Sequence, residues 1–537
     1  MLFIKKSNGY ANFMENLNNY KNSKKLLLMG VITVFYILVT LPKAKEFNQP
    51  QLTAFTNSST DTTLNISVIK VEPSLQIEND TKRRLTRKLP VSHVFIVSAY
   101  FYPTSKSLGN NAIALNMVVD SKNFNVNNAT YNVLGSNGTH QELSIATSQT
   151  EGFQYCRYIA AMARTNSVAN LSNLEMESNG IKVSIPFKTA RYTAPNPVII
   201  CISPQFVAEQ WQIFLMHIHV ANRFGGHMHI YVTSIVKSYF KLMKEYEKLG
   251  YLTVEPWLRM KFSHSETPFF EPNLNTELRN QAGALTDCLL QYKEAADYVA
   301  FFDLDDILVP LNYPTYLEEF NAEWFKHKNS TSIAYGRREH EFVKVEAFSE
   351  FSFQKLVSSL RSSDSVKAGK VVVKPEFHNS TWLHVSLHED RSTRYNVRTP
   401  RLIHVQRPIQ KTGNNEIKKL WKFQFQKFNE TIKSEDIQEI EKDIWSVRNL
   451  TAVAEISYSL PKRDFYFPIV FKCYLSEFYN KPIIDKCPNA EMCKLPQRED
   501  IECVHSDAEY FSGPHMKPFT FHYAKNAFWS ENYGCYQ

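Results

Sequence analysis

Three carboxylates fall within four residues of the stretch "VAFFDLDDILVP", Val299 to Pro310: Asp303, Asp305 and Asp306. Like charges at that spacing repel, and holding them together is costly unless a cation sits among them. The apolar run ahead of them reads as a buried strand, so the chain ends a core strand on an acidic knot. A divalent cation that prefers hard oxygen ligands, Mg²⁺ or Mn²⁺, answers the arrangement, with the oxygens of a diphosphate as its remaining ligands. In extended backbone Asp303 and Asp305 share a side.

An ion held there would neutralise a diphosphate and let it leave, which is the logic of the Asp-x-Asp motif in nucleotide-sugar transferases. The chain has no G-x-G-x-x-G and no P-loop to cradle a phosphate with backbone amides, so phosphate binding here calls for the metal. Two other readings stay open at this point. One is a loop whose carboxylates cap a helix starting near Ile307, against which Pro310 argues. The other is the Asp-x-Asp-x-Thr motif of haloacid-dehalogenase-type phosphatases, in which the first Asp is a nucleophile. The chain departs from that motif at Ile307 and places three strands ahead of it.

The elements around the knot follow from hydrophobic pattern and punctuation. "NPVIICIS", Asn196 to Ser203, is an apolar run suited to a strand covered on both faces. Residues 204–225 read as a helix with Pro204 near its start and a Gly pair at its end. "HMHIYVTS" is a second strand, "IVKSYFKLMKEYEKLG" an amphipathic helix ending at Gly250, and "YLTVEPW" a third strand. "NTELRNQAGALTDCLLQYKEAA" is a helix capped by Asn275 or Thr276, and "DYVAFFDLDD" is the fourth strand. Strand and helix alternate, the signature of a mostly parallel, Rossmann-like sheet. Ligands of such sheets bind beyond the carboxyl ends of the strands, where the aspartates lie. Before this region, residues 91–192 carry strand-like runs separated by Asn/Gly turns, a β-rich N-terminal module.

The 537-residue chain carries a net charge of +8 with Lys and Arg spread along it. The one dense basic run, "TKRRLTRK" at Thr81–Lys88, has no aromatic interleaving, and no nucleic-acid face is expected. "LLLMGVITVFYILVTL", Leu26 to Leu41, is uncharged and close to the lower length limit of a membrane span. Lysines crowd its N-terminal side, which predicts a cytoplasmic tail (1–25), a transmembrane signal-anchor (26–42) and a lumenal remainder; a cleaved signal peptide is the competing reading. Residues 43–90 read as a flexible stem. Five of the eight cysteines lie in the last 65 residues, and residues 461–537 are expected to be a disulfide-rich segment of an oxidising compartment. Ten Asn-x-Ser/Thr sequons fit a lumenal glycoprotein.

The stretches "ISPQFVAEQWQIFLMHIHVANRFGGHMHIYVTS", "NQAGALTDCLLQYKEAADYVAFFDLDDILVP", "YGRREHEFVK", "LIHVQRP", "CPNAEMCKLPQRED" and the closing "GCYQ" resemble glycosyltransferase family 92. The resemblance runs from about residue 90 to 537. It implies a GT-A-like catalytic fold over 193–460, a single-pass type II topology in the Golgi membrane, and a Mn²⁺-dependent reaction that uses a UDP-sugar. Characterised members are galactosyltransferases, some adding β-1,4-galactose to the core fucose of N-glycans with inversion. Carried over, Asp303 and Asp305 match the metal and diphosphate motif. Many relatives read Asp-x-Asp-Glu there, and this chain has Asp306 in the last position.

Further site residues are expected from these motifs. His404 in "LIHVQRP" is a candidate third metal ligand, with a core histidine as the plain alternative. Gln281 and Glu209 are candidates for donor contact, and Arg337 and Arg338 for diphosphate or acceptor. Inversion needs a carboxylate base for the acceptor hydroxyl. Asp390 and Glu389 in "LHEDRS" are preferred over Glu339 and Glu341 in "RREHEF". A catalytically silent glycan-binding protein on the same fold is the reading from another class.

Overall fold

The computed structural model describes residues 92–535, apart from 124, 151–155, 263–271, 311, 388–393, 410–424, 428–431, 480–486 and 515–516. The expected tail, anchor and stem lie outside these residues. Among the described residues no helix is long and apolar enough to cross a membrane.

The alternating region forms the expected sheet. Its elements are β1 (Val198–Gln205), α1 (Trp211–Arg223), β2 (Gly226–Val232), α2 (Lys237–Lys248), β3 (Leu252–Pro256), α3 (Gln281–Tyr292), β4 (Tyr298–Phe302) and β5 (Asp306–Leu308). Three long strands complete it: β6 (Ser332–Val343), β7 (Arg361–Val373) and β8 (Arg394–Ile409). The order is β3-β2-β1-β4-β7-β6-β8-β5, with Phe425–Lys427 added on β7. β3, β2, β1 and β4 are mutually parallel, and β7 joins β4 antiparallel. The order reverses at β1: β2 and β3 lie on one side and β4 on the other. That is a topological switch point, the place where open α/β sheets bind ligands.

β1 shows why an unbroken apolar run makes the centre of this sheet. Val198, Ile200 and Ile202 join the core on the side of α1 and α2. Ile199 and Cys201 face the other way, among Leu285, Cys288 and Leu289 of α3. Period-two alternation buries both faces, at about 1.5–3 kcal/mol for each large aliphatic side chain. A disulfide between Cys201 and Cys288 ties β1 to α3.

Two helix starts differ from expectation. Pro204 lies inside β1, and α1 begins only at Trp211. The chain between them turns through Val207 at φ 43° and pairs Ala208 with Ile235. α3 begins at Gln281 with Asn280 as its cap, not Asn275 or Thr276. Leu278, Arg279 and Asn280 are all left-handed, at φ 42°, 55° and 60°, which breaks any helix running in from residue 275. No helix starts at Ile307; Asp306–Leu308 is a strand on β8.

The β-rich N-terminal module is present, and it shares its sheet with the end of the chain. Ser92–Tyr102 pairs parallel with Phe519–Tyr533, which pairs antiparallel with Glu502–Ser512. This second sheet has eleven strands. All eight cysteines form disulfides: Cys156–Cys487, Cys201–Cys288, Cys473–Cys493 and Cys503–Cys535. The first joins the N-terminal module to the C-terminal segment. The sequon at Asn379 is buried, the residue being 5% exposed.

Candidate active site

The site is assembled at the switch point. Ser203 ends the apolar part of β1, Gln281 opens α3, and Asp303 follows the last residue of β4. Ser203 Oγ and Gln281 Nε2 both donate to Asp303 Oδ1, the second at 2.7 Å. The other carboxylate oxygen of Asp303 accepts Lys370 Nζ at 2.7 Å. Burial alone would raise the Asp303 pKa; the Lys370 charge and these hydrogen bonds outweigh it and hold the group below the ordinary carboxylate range.

Lys370 sits on β7, where the pairing with β6 slips between Tyr335 and Arg337. A Cβ on the preceding Gly369 would collide with the carbonyl oxygen of Tyr335, so glycine lets the two strands close at this irregularity. The slip brings Lys370 and Arg337 to the same carboxylates. Arg337 Nη1 lies 3.4 Å from both oxygens of Asp306, and Lys370 Nζ is 3.9 Å from it. Asp306 is fully buried, which pushes its pKa up against the pull of Arg337, His404 and Lys370.

β5 and β8 bring in the histidine. Asp306 and His404 are register partners, and the Val405 amide donates to the Asp305 carbonyl at 2.8 Å. His404 Nε2 is 3.2 Å from Asp305 Oδ2, and Nδ1 is 2.6 Å from Glu339 Oε2. Since a carboxylate can only accept, Nδ1 donates to Glu339 and the protonated Nε2 donates to Asp305; a metal ion would take the place of the Nε2 proton. Burial would lower the imidazole pKa, yet Asp305 and Asp306 push it up to about 10. The position therefore favours positive charge, whether a proton or a metal ion. One ligand atom each from Asp305, Asp306 and His404 lie within 4.8 Å of one another. The carboxylate–imidazole pair of Glu339 and His404 is the outer support that metal-binding histidines commonly have. These residues fit a divalent cation with mixed oxygen and nitrogen ligands.

The expected residues are thus brought together in part. Asp303, Asp305, Gln281, Arg337 and His404 converge. Asp303, however, is outside the group of three close ligand atoms, and the buried Asp306 takes that place. Glu209 is engaged elsewhere: its carboxylate accepts the backbone N–H groups of Phe465, Tyr466 and Phe467 at 2.6, 2.8 and 2.7 Å. It closes the start of the helix Phe467–Tyr474. Glu389 and Asp390 lie outside the described residues; the hairpin Ser380–Trp382/Val385–Leu387 leads into them.

Glu339 pairs with His404 and, at 3.2 Å, with Lys367. Lys370 and Ser203 are the functional candidates that sequence reasoning missed. The one available signal was a lysine opening the apolar run "KVVV" and a serine closing "IICIS".

The sequence model of glycosyltransferase family 92 matches residues 196–448. Two Caenorhabditis elegans proteins described as glycosyltransferase family 92 proteins, ZK381.2 and F55C10.4, are 57% and 40% identical to the chain. The alignments cover 87% and 83% of this chain and 94% and 91% of those proteins. Among solved structures, Staphylococcus aureus TarS 1–349 in complex with UDP-GlcNAc aligns with 52% of this chain and 76% of its own, at 11% identity and a TM-score of 0.20. The galactosyltransferase LgtC with donor and acceptor sugar analogs aligns with 33% and 58%, at 9% identity and a TM-score of 0.17.

Proposed function

The chain belongs to glycosyltransferase family 92, and from that premise we propose that it transfers galactose from UDP-galactose, with inversion, to a glycan acceptor such as the core fucose of an N-glycan. The observation that carries the reading is the convergence of Asp303, Asp305, Asp306 and His404 at the switch point of a parallel sheet. Four carboxylates, counting Glu339, face four cations, Arg337, Lys370, Lys367 and the protonated His404. Such a site has no surplus positive charge for a diphosphate until a divalent ion joins it.

Asp305, Asp306 and His404 would hold Mn²⁺, which when bound supplies the charge that stabilises departing UDP. Glu339 keeps the His404 hydrogen on Nδ1, so that Nε2 stays available to the ion. Lys370 and Arg337 keep the buried carboxylates together and add positive charge beside the diphosphate. Asp303, its side chain 27% exposed, is pinned by Ser203, Gln281 and Lys370 and offers a fixed acceptor edge to donor hydroxyls. Glu389 or Asp390 would take the proton of the acceptor hydroxyl. The GT-A-like assignment rests on the family and on the β3-β2-β1-β4 order. Leu26–Leu41 would anchor the protein in the Golgi membrane with the catalytic part lumenal. Family membership leaves the phosphatase reading without support, and the retained Asp303, Asp305 and His404 favour a transferase over a silent binder.

The test is UDP release from UDP-galactose with Mn²⁺, with and without a core-fucosylated N-glycan. Acceptor-stimulated release that is absent from Asp303→Ala/Asp305→Ala supports the proposal. Stimulation only by another UDP-sugar overturns galactose as the donor.

A further inference from the structure

A cavity of about 960 Å³ lies apart from the carboxylate cluster and shares no residue with it. Its wall is built from the first turn of α2, the segment after β6, residues 459–465 and the start of the strand Glu502–Ser512. Its volume is that of a small-molecule site.

Two observations bear on its occupant. Lys241 and Lys462 line it together with Glu346 and Glu350, and none of the four has an ion-pair partner among the described residues. Other charges of the wall are engaged: Lys344 pairs with Asp464, Lys237 with Glu502 and Glu531, and Asp500 with Arg498, while Arg463 lies over the Phe465 ring. Ser238 Oγ, on a residue 9% exposed, is buried in the same wall without a hydrogen-bond partner. The cavity thus offers unmatched donors and acceptors together, and its charges nearly balance.

That chemistry narrows the ligand. A polyanion would face the carboxylates, and a polycation the ammonium groups. An apolar molecule would displace water from these exposed charges without replacing its hydrogen bonds. A neutral polyhydroxylated ligand satisfies all of them, since each hydroxyl both donates to a carboxylate and accepts from an ammonium. We propose that this cavity is a subsite for the non-reacting sugars of a neutral oligosaccharide acceptor, an inference that rests on the transferase reading above.

The cavity is built on the elements of the active site. β6 carries Glu339, which holds His404, and continues to Val343, with Lys344 and Val345 next in the cavity wall. Trp211 Nε1 at the start of α1 donates to the Pro461 carbonyl at 2.9 Å, and Glu209 fixes the backbone from Phe465 onward. At about 3.3 Å per strand residue, Val343 lies roughly 13 Å from Glu339. An acceptor that fills the cavity and still presents a hydroxyl to the cluster must therefore be an oligosaccharide, not a single sugar.

The test uses the full chain and the double variant Glu346→Gln/Lys462→Ala, both at exposed positions. Binding of a panel of neutral N-glycan, mucin-type and chito-oligosaccharides is followed by saturation-transfer NMR, and UDP affinity by calorimetry with Mn²⁺. The expected result is an oligosaccharide bound by the native protein and about tenfold more weakly, or not at all, by the double variant. UDP affinity stays unchanged in that variant. Asp305→Asn should do the reverse, losing UDP and keeping the oligosaccharide. The proposal is overturned if no member of the panel binds, if the double variant binds as well as the native protein, or if binding disappears at high salt. Failure of the transferase reading shows separately, as absence of UDP affinity in the native protein.

Discussion

Lys370 Nζ lies 2.7 Å from Asp303 Oδ2, on a lysine only 2% exposed. The same ammonium is 3.9 Å from the fully buried Asp306. Removing one partner of a buried ion pair leaves uncompensated charge and costs about 3–5 kcal/mol. Lys370→Met is therefore expected to lower the melting temperature and to weaken UDP binding at least tenfold, a loss of about 1.4 kcal/mol or more. Thermal unfolding and a UDP titration check the two parts. Unchanged UDP affinity would show that Lys370 serves stability alone.

Glu339 acts on the metal site through His404. Outer partners of a metal-binding histidine typically contribute about 10–100-fold to metal affinity. Glu339→Gln should raise the Mn²⁺ concentration needed for half-maximal activity by that factor. Saturating Mn²⁺ should restore most of the rate. A rate that no concentration restores would instead make Glu339 a catalytic group, one of the bases considered from the sequence.

Glu209→Ala separates the structural role seen here from a role in donor binding. Three backbone N–H groups lose their acceptor, at about 1–3 kcal/mol for the buried donors left unmatched. The melting temperature should fall while the KM for the UDP-sugar stays within about twofold of native, under 0.5 kcal/mol. A KM rise without loss of stability would restore Glu209 to the donor site.

Lys293, at the end of α3, supplies a pH test. Its ammonium donates to the carbonyls of Pro375 and His378. Burial pushes its pKa down from 10.5 to about 7. The unfolded chain then binds this proton more tightly than the folded one. The contribution of Lys293 to stability is fully present only above pH 10.5 and is lost as pH falls toward 7. Between those values the slope of stability against pH should be steeper in the native protein than in Lys293→Met, by up to about 1.4 kcal/mol per pH unit. Parallel curves for the two proteins would contradict this.

The parallel sheet was legible because a strand buried on both faces leaves an unbroken apolar run, as "VIICIS" and "YVAFF" do. Asp303 and Asp305 were legible because carboxylates rarely end such a run. Helix starts were not. The turn through Val207 serves contacts with Ile235, and Glu209 reaches residues 465–467; neither partner is near in sequence. The left-handed run Leu278–Asn280 contains no glycine to announce it. Lys370 is 67 residues from Asp303, and its placement depends on a slip between β6 and β7 that no local pattern encodes. The pairing of Ser92–Tyr102 with Phe519–Tyr533 is likewise a contact between chain ends. His404 was nameable as a ligand only through its motif, because an isolated histidine on an apolar strand carries no signal of the carboxylates around it.

Everything proposed for the cluster at the switch point depends on its binding a nucleotide diphosphate through a divalent ion. The most direct measurement is UDP binding by calorimetry to the full chain, with Mn²⁺ and with a chelator, for the native protein and for Asp305→Asn. Binding should require Mn²⁺ and weaken at least tenfold in the variant, by about 1.4 kcal/mol or more. UDP binding of equal strength with the chelator, or in Asp305→Asn, would contradict this.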